Sequence, residues 1–314
     1  MIGRAPAFTS VLSRLDKIAG CHATVLLEGE TGTGKELVAR EIHYRSSRRD
    51  QPFVPVNCGA LPDSLLENEL FGHTRGAYTD ARTGQPGMVD LAQHGTLFLD
   101  EVDALTPKAQ VTLLRFLQDQ RFRPLGGREE RSADVRIVAA SNRSLEEMAQ
   151  AREFRLDLLY RLRLLYVLLP PLRERHGDAA LLAHHFVELA SRKFGGPVRP
   201  IETETLAWFD HYSWPGNVRE LENLVYQAFL LGEGPTVSIT PPAEASAEAN
   251  GAAPPLNYAA AKSRAIAAFE RSFLSTALEH AGGNVSAAAR LIGTERRHLG
   301  RLLKKHGIEV SPRA

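Results

Sequence analysis

The sequence predicts an α/β fold, a parallel sheet with flanking helices, followed by an all-α part and a small basic helix-turn-helix. Three observations carry this. Apolar strand-like runs alternate with helically spaced segments over the first half of the chain, and each run ends in a polar residue. The first run passes through a glycine-rich turn directly into a helix. A Pro/Ala/Glu-rich stretch over 241–256 then separates a distinctly basic tail from everything before it.

Composition narrows the classes. A chain of 314 residues, 43% of them hydrophobic, has room for two or three domains and a large core, which excludes a disordered protein. No apolar run approaches the roughly 20 residues that span a bilayer. No charged-then-apolar leader opens the chain, so neither a membrane protein nor an exported one is expected. Cys21 and Cys58 make neither a disulfide framework nor a metal site, and reduced thiols in the cytoplasm are expected. The net charge of +1 hides an asymmetry: residues 257–314 carry ten Lys/Arg against four Asp/Glu, leaving 28 against 33 in the first 256. A basic tail on a mildly acidic body points to a polyanion partner for the tail alone.

Taken in order, an amphipathic helix is expected near Phe8–Ala19. Met1 stands almost directly before it, so no N-terminal sensory domain is expected. The buried-strand run Thr24-Val25-Leu26-Leu27 leads into Gly29-Glu30-Thr31-Gly32-Thr33-Gly34-Lys35-Glu36, and 37–42 has helical spacing. Strand, glycine turn and helix make a phosphate-binding loop. Glycines let backbone amides close on phosphate oxygens, the helix N-terminus adds its positive end, and Lys35 supplies a point charge. Glu36 departs from the general pattern, which has a magnesium-binding hydroxyl there. Thr33 is not expected to replace it, so the metal must be held mainly from elsewhere.

Residues 52–58 read as a second strand, and 65–71 as a helix running into Gly72–Ala81, a Gly/Thr-rich loop with an aromatic at its tip. Gly95–Leu99 is an apolar strand ending in Asp100-Glu101. Behind a phosphate loop, such a pair suits magnesium binding through Asp100 and water activation by Glu101. A helix over 111–120 precedes another buried strand, 135–142, ending in Asn142. Segment 154–163 holds Arg155, Arg161 and Arg163 beside Asp157, and by itself reads as a solvated helix face. Pro170-Pro171 ends the α/β part. Residues 178–232 read as helical, broken at Trp214-Pro215-Gly216-Asn217, with Asn217 capping the helix that carries Arg219. In the tail, 262–280 reads as one long helix. Asn284 caps a short helix to Ile292, Gly293 turns the chain, and a basic helix carries Arg296, Arg297, His298, Arg301, Lys304 and Lys305 towards a DNA groove or its phosphates. Four regions are expected: 1–175 as α/β, 176–240 as a helical lid, 241–256 as linker and 257–314 as helix-turn-helix.

Together these pieces resemble the bacterial enhancer-binding AAA+ activators of sigma-54 RNA polymerase, with a P-loop NTPase domain and a Fis-like C-terminal domain. The resemblance rests on the loop at 29–36, including Glu36, on Val56-Asn57-Cys58, on Thr96–Glu101 and on Trp214–Leu221. It implies magnesium at Asp100, water polarised by Glu101 with Asn57 as its switch partner, Asn142 as a first sensor and Arg219 as a second. Phe154–Arg161 is similar to the family's arginine-finger stretch, which lifts Arg155 and Arg161 out of the solvated reading and leaves Arg163 in it. A finger reaching a neighbour's ATP implies a ring, hexameric in the family, as well as sigma-54 holoenzyme and double-stranded upstream DNA as partners. The family's contact sequence Gly-Ala-Phe-Thr-Gly-Ala reads here Gly76-Ala77-Tyr78-Thr79-Asp80-Ala81. Tyr78 keeps the aromatic and Thr79 the contact, whereas Asp80 puts a charge where the backbone was freest.

The expectation is therefore an ATP-hydrolysing activator that remodels sigma-54 holoenzyme, controlled by expression level or by a separate protein. A second expectation is a DNA-binding regulator or repressor whose loop Asp80 impairs, with ATP serving assembly. An unfoldase or replication ATPase is disfavoured by the loop at 72–81 and the terminal helix-turn-helix.

Overall fold

Val25-Leu26-Leu27, Leu97-Phe98-Leu99 and Ile137–Ala140 are buried throughout, so each must be covered on both faces. A parallel sheet between helical layers achieves this, and the computed structural model has one. That structure describes residues 1–60, 63–78, 83–241, 274, 281, 284–291, 294 and 296–305, in two units, Met1–Pro241 and Pro242–Ala314.

The first unit opens with α1 (Pro6–Ala19), β1 (Val25–Glu28), α2 (Lys35–Tyr44), β2 (Phe53–Asn57) and α3 (Asp63–Phe71). Short strands β3 (Gly72–His73) and β4 (Gln85–Pro86) pair antiparallel and lead through α4 (Met88–Leu91) to β5 (Thr96–Asp100). Then come α5 (Pro107–Asp119), a small antiparallel pair β6 (Arg121–Phe122) and β7 (Arg131–Ser132), and β8 (Arg136–Ser141). Helices α6 (Leu145–Gln150) and α7 (Leu156–Leu162) and strand β9 (Leu165–Leu168) precede the helical part, α8 (Asp178–Phe194), α9 (Thr203–Phe209) and α10 (Asn217–Leu231).

Five strands form one parallel sheet in the order β2-β5-β8-β1-β9. Alternation along them divides the core. Leu26, Leu97, Leu99, Ile137 and Ala139 pack with α3, α5 and α7 on one face; Val25, Leu27, Phe98, Val138 and Ala140 pack with α1 and α2 on the other. Buried Arg136 opens β8 and donates to the last carbonyls of α1, Ala19 (3.0 Å) and Ile18 (2.6 Å), where a cation complements the helix dipole. Because β5, β8 and β1 are neighbours, their C-terminal ends open together, the position at which parallel sheets bind ligands.

Several short elements, β3, β4, α4, β6, β7 and α6, lie outside those expected from the sequence, and two others differ from the expectation. Helix α5 begins earlier, at Pro107, because Thr106 Oγ1 accepts from Ala109 N (3.3 Å) and Pro107 suits the first helical position. Strand β9 was not anticipated. Of its residues only Val167 is fully buried, so its pattern merges with the prolines that follow, and it becomes a strand by pairing with β1.

In the second unit, α11 (Val285–Leu291) and α12 (Arg296–Lys305) share a small core of Ala288, Ala289, Leu299 and Leu303 with Leu274. Asn284 Oδ1 accepts from Ser286 N (3.0 Å) and Ala287 N (3.2 Å), the expected cap. The expected linker beyond Pro241, the helix over 262–280 apart from Leu274, and Gly293 lie outside the described residues. No helix among the described residues is long and apolar enough to cross a membrane.

Candidate functional site

The loop between β1 and α2 closes around the side chain of Lys35, which is only 6% exposed. Its Nζ donates to Gly29 O (2.7 Å), Glu30 O (3.0 Å) and Asn142 Oδ1 (2.7 Å). Burial pushes the ammonium pKa below the ordinary lysine value, against the opposing charges of Asp100, Asp103 and Glu101. Gly34 adopts a left-handed φ of 96°, and a side chain there would face only Leu37 at 3.9 Å, so the loop presents a bare wall. Thr33 is buried and its hydroxyl donates to Glu30 O (2.8 Å), so it is engaged within the loop. Glu36 pairs with Arg40 (2.7 Å) on the first turn of α2.

A cleft of about 310 Å³ over this loop is lined by Lys35, Glu36, Asp100, Glu101, Asn142 and Arg219, among others. Burial raises the pKa of Asp100, whose Oδ1 accepts from the amide of Glu101 (2.9 Å). Glu101 is held at a left-handed φ of 55°, a backbone conformation that costs about 1–3 kcal/mol for a non-glycine residue and gathers at functional sites. Parallel register sets Asn57 opposite Asp100. The Asn57 and Glu101 side chains both border Gly59, although the Asn57 carboxamide oxygen accepts from the amides of Gly59 (2.8 Å) and Ala60 (3.0 Å). Asp103, which the sequence did not single out, accepts the Asn142 amide (3.0 Å) and fixes the residue that Lys35 touches. Cys58 is a buried free thiol pushed up to about 12 by burial and by these carboxylates, hence inert.

Asn217 is not the cap expected of it. Helix α10 has Gly216 at its N-cap with no side-chain cap, and Glu220 accepts the Gly216 amide (2.9 Å). Asn217, fully buried at φ 50°, faces the phosphate loop instead: Nδ2 donates to Thr31 O (3.0 Å) and Glu30 Oε2 (3.1 Å), and Oδ1 accepts from Leu172 N (2.7 Å). Its neighbour Val218 donates to Gly32 O (3.0 Å), so Arg219 enters the cleft from a helix bound to the loop itself.

A second cavity of about 750 Å³ adjoins the cleft and shares Gly34, Leu37, Val218 and Glu222 with it. Ile2, Phe8, Tyr44, Leu182 and Phe186 make it largely apolar, a chemistry that suits a base. These residues were missed from the sequence because they come from three distant segments with ordinary core composition.

Arg155 and Arg161 lie outside both cavities. Buried Gln110 accepts the Arg155 amide (2.9 Å), but the Arg155 guanidinium is exposed and forks onto Asp157 (3.0 and 2.7 Å). Arg161 donates to the carbonyls of Leu117 (3.2 Å) and Gln118 (3.0 Å) at the end of α5. Arg163 is not simply solvated: it pairs with Glu146 (2.6 Å) and lies 4.4 Å over the Tyr166 ring.

In the Gly/Thr-rich loop, Tyr78 is 47% exposed and rests on the His73 ring, centroids 5.1 Å apart. Gly76 has a left-handed φ of 80° with open space around it. Thr79, Asp80 and Ala81 lie outside the described residues. In the second unit, α12 carries all six basic residues assigned to DNA, and Arg296 and Arg301 are exposed.

The donor set suits a nucleoside triphosphate. Two cations, a bare glycine wall and the start of α2 are placed where phosphates could bind, and the adjoining apolar cavity could take a base. Among the described residues no group of three or more His, Cys, Asp or Glu is placed to hold a metal ion by itself. Asp100, which lines the cleft, would anchor magnesium, with phosphate oxygens and water completing its shell.

Sheet, loop and lid define a P-loop nucleotide-binding protein of the AAA+ type. The chain matches the sigma-54 interaction domain over 1–168, the AAA+ ATPase lid domain over 173–253, and the bacterial regulatory protein, Fis family, over 265–306. Regulatory protein AtoC of Escherichia coli (strain K12) is 39% identical over 98% of this chain and 68% of its own. Nitrogen fixation protein AnfA of Azotobacter vinelandii is 41% identical over 98% and 57% respectively. The crystal structure of NtrX from Brucella abortus in complex with ATP is similar over 98% of this chain and 69% of that one, with a TM-score of 0.73 at 33% identity. The chain therefore belongs to the bacterial sigma-54-dependent transcriptional activators. It spans 57–68% of the length of the two curated relatives.

Proposed function

We propose that this chain hydrolyses ATP to drive remodelling of sigma-54 RNA polymerase holoenzyme, bound to upstream DNA through 257–314 and assembled as a ring, hexameric as in the family. The observation that carries the proposal is the sharing of one cleft by Lys35, Asp100, Glu101, Asn142 and Arg219, while Arg155 and Arg161 stand apart from it. Bound magnesium–ATP supplies the phosphoryl electrophile and the metal's neutralising charge. Lys35 and Arg219 hold phosphate oxygens, and Asp100 anchors the metal. Glu101 orients the attacking water and takes its proton on the carboxylate, with Asn57 as its switch partner. Asn142, already bonded to Lys35, senses whether the terminal phosphate is present.

Arg155 and Arg161 act on a neighbouring copy. Each must first leave its present partner, Asp157 for one and the α5 carbonyls for the other. Hydrolysis then moves the Tyr78/Thr79 loop against sigma-54, opening the promoter. The test is promoter opening by purified sigma-54 holoenzyme with ATP, comparing the wild type with Thr79→Ala and Glu101→Ala. Opening by the wild type alone supports the reading. ATP hydrolysis with no opening would favour a DNA-binding regulator or repressor whose contact loop Asp80 has disabled.

A further inference from the structure

Glu30 sits in the phosphate loop but does not line the cleft. Its carboxylate is turned away, forked onto Arg173 (Nη1 2.8 Å, Nη2 2.6 Å) and joined by Asn217 Nδ2 (3.1 Å). The Arg173 guanidinium beside it holds the Glu30 carboxyl below the usual glutamate range. Arg173 belongs to the short 3-10 turn Leu172–Glu174 that connects β9 to the helical lid, and the amide of Leu172 in that turn donates to Asn217 Oδ1 (2.7 Å). One carboxamide thus binds the phosphate loop, the connection and the start of α10 at once. Val218 adds a backbone bond to Gly32, and a side chain at Gly32 would collide with the Gly216 carbonyl. Arg219 follows directly, on the same first turn of α10.

We propose that Glu30, Arg173 and Asn217 form a latch that sets the register of the lid against the phosphate loop and thereby aims Arg219 at the terminal phosphate. Arg173 is its positioning residue, acting through the lid without touching nucleotide. The latch rests on the proposed ATP site and extends it. A lid joined to the loop by direct bonds keeps Arg219 in place before nucleotide arrives, so less ordering cost falls on binding. Discrimination between tri- and diphosphate then depends on the latch, because only the terminal phosphate needs Arg219.

The test measures binding of the non-hydrolysable analogue AMP-PNP and of ADP to the full chain, for the wild type, Arg173→Met, Arg219→Ala and the double variant. Arg173 is 42% exposed in its pair, so Arg173→Met is expected to fold, with thermal unfolding as the check. Arg173→Met should weaken AMP-PNP roughly three- to fivefold, the scale of a half-exposed ion pair, and ADP by less than about twofold. In the Arg219→Ala background it should add nothing, since both changes remove the same contact. Equal weakening of both nucleotides, full additivity with Arg219→Ala, or no change would overturn the latch while leaving the ATP site standing. A wild type that binds neither nucleotide would overturn the site and the latch together.

Discussion

The phosphate cleft and the arginine helix α7 hold their cations in opposite ways. Lys35 is buried and spends its three donors on oxygens of its own chain, two of them loop carbonyls, so its position is set by the fold and a phosphate has only to replace one of these acceptors. Arg155 is at the surface on a pair with Asp157, two residues along, and its backbone alone is fixed, by Gln110. Such an exposed pair is screened by water and easily exchanged for another anion. Arg161 is intermediate, tied to two backbone carbonyls it can leave. The difference teaches that the cleft residues are preorganised within one chain, whereas the α7 arginines are left free to exchange partners, as the proposed ring requires.

That contrast can be broken from either side. The largest effect is expected from Arg155→Ala: steady-state ATP hydrolysis should fall by about 10³-fold or more, as for other fingers supplied in trans, while nucleotide affinity stays within about twofold. An equal loss of affinity would place Arg155 in its own chain's cleft and erase the comparison. Glu101→Gln should lower kcat by roughly 10²–10⁴-fold with binding retained, read by single-turnover hydrolysis alongside an equilibrium titration. Lys35→Ala should act on binding first, weakening ATP by roughly 100-fold through the loss of charge-assisted hydrogen bonds to phosphate.

The smallest effect concerns pH. Burial lowers the Lys35 pKa from its ordinary 10.5, so the ammonium loses its proton earlier than a solvated lysine as pH rises. Nucleotide affinity is full below that lowered pKa and should decline above it, starting on the acid side of 10.5. Arg155, whose pKa its Asp157 partner raises, keeps its charge throughout. A titration of ATP affinity between neutral and alkaline pH checks this, and a flat profile in an otherwise folded protein would deny Lys35 its place among the phosphates.

Much of the cleft was legible in the sequence because its residues sit at strand ends and turns. Lys35, Asp100 and Asn142 each follow a buried strand whose apolar run marks the place. What was illegible depends on long-range pairing. β9 exists because β1 offers it an edge, and Val167 alone does not announce a strand. Asn217 looked like a helix cap because its type and position fit one, yet tertiary bonds to Glu30, Thr31 and Leu172 claim both polar atoms of its side chain. Asp103 and Gln110 position Asn142 and Arg155 through backbone amides, a role that leaves no mark in local pattern. The apolar cavity beside the cleft assembles Ile2, Tyr44 and Leu182 from segments distant in the sequence, which no local pattern links.

The most direct measurement is ATP hydrolysis by mixed populations of Arg155→Ala and Glu101→Gln chains. Each is expected to be nearly inactive alone. If α7 completes a neighbour's cleft, mixing should restore a substantial part of wild-type activity, because an intact Arg155 from one chain then faces an intact Glu101 in the next. Mixtures no more active than their components, at concentrations where the wild type hydrolyses ATP, would contradict the account and return both residues to a single chain.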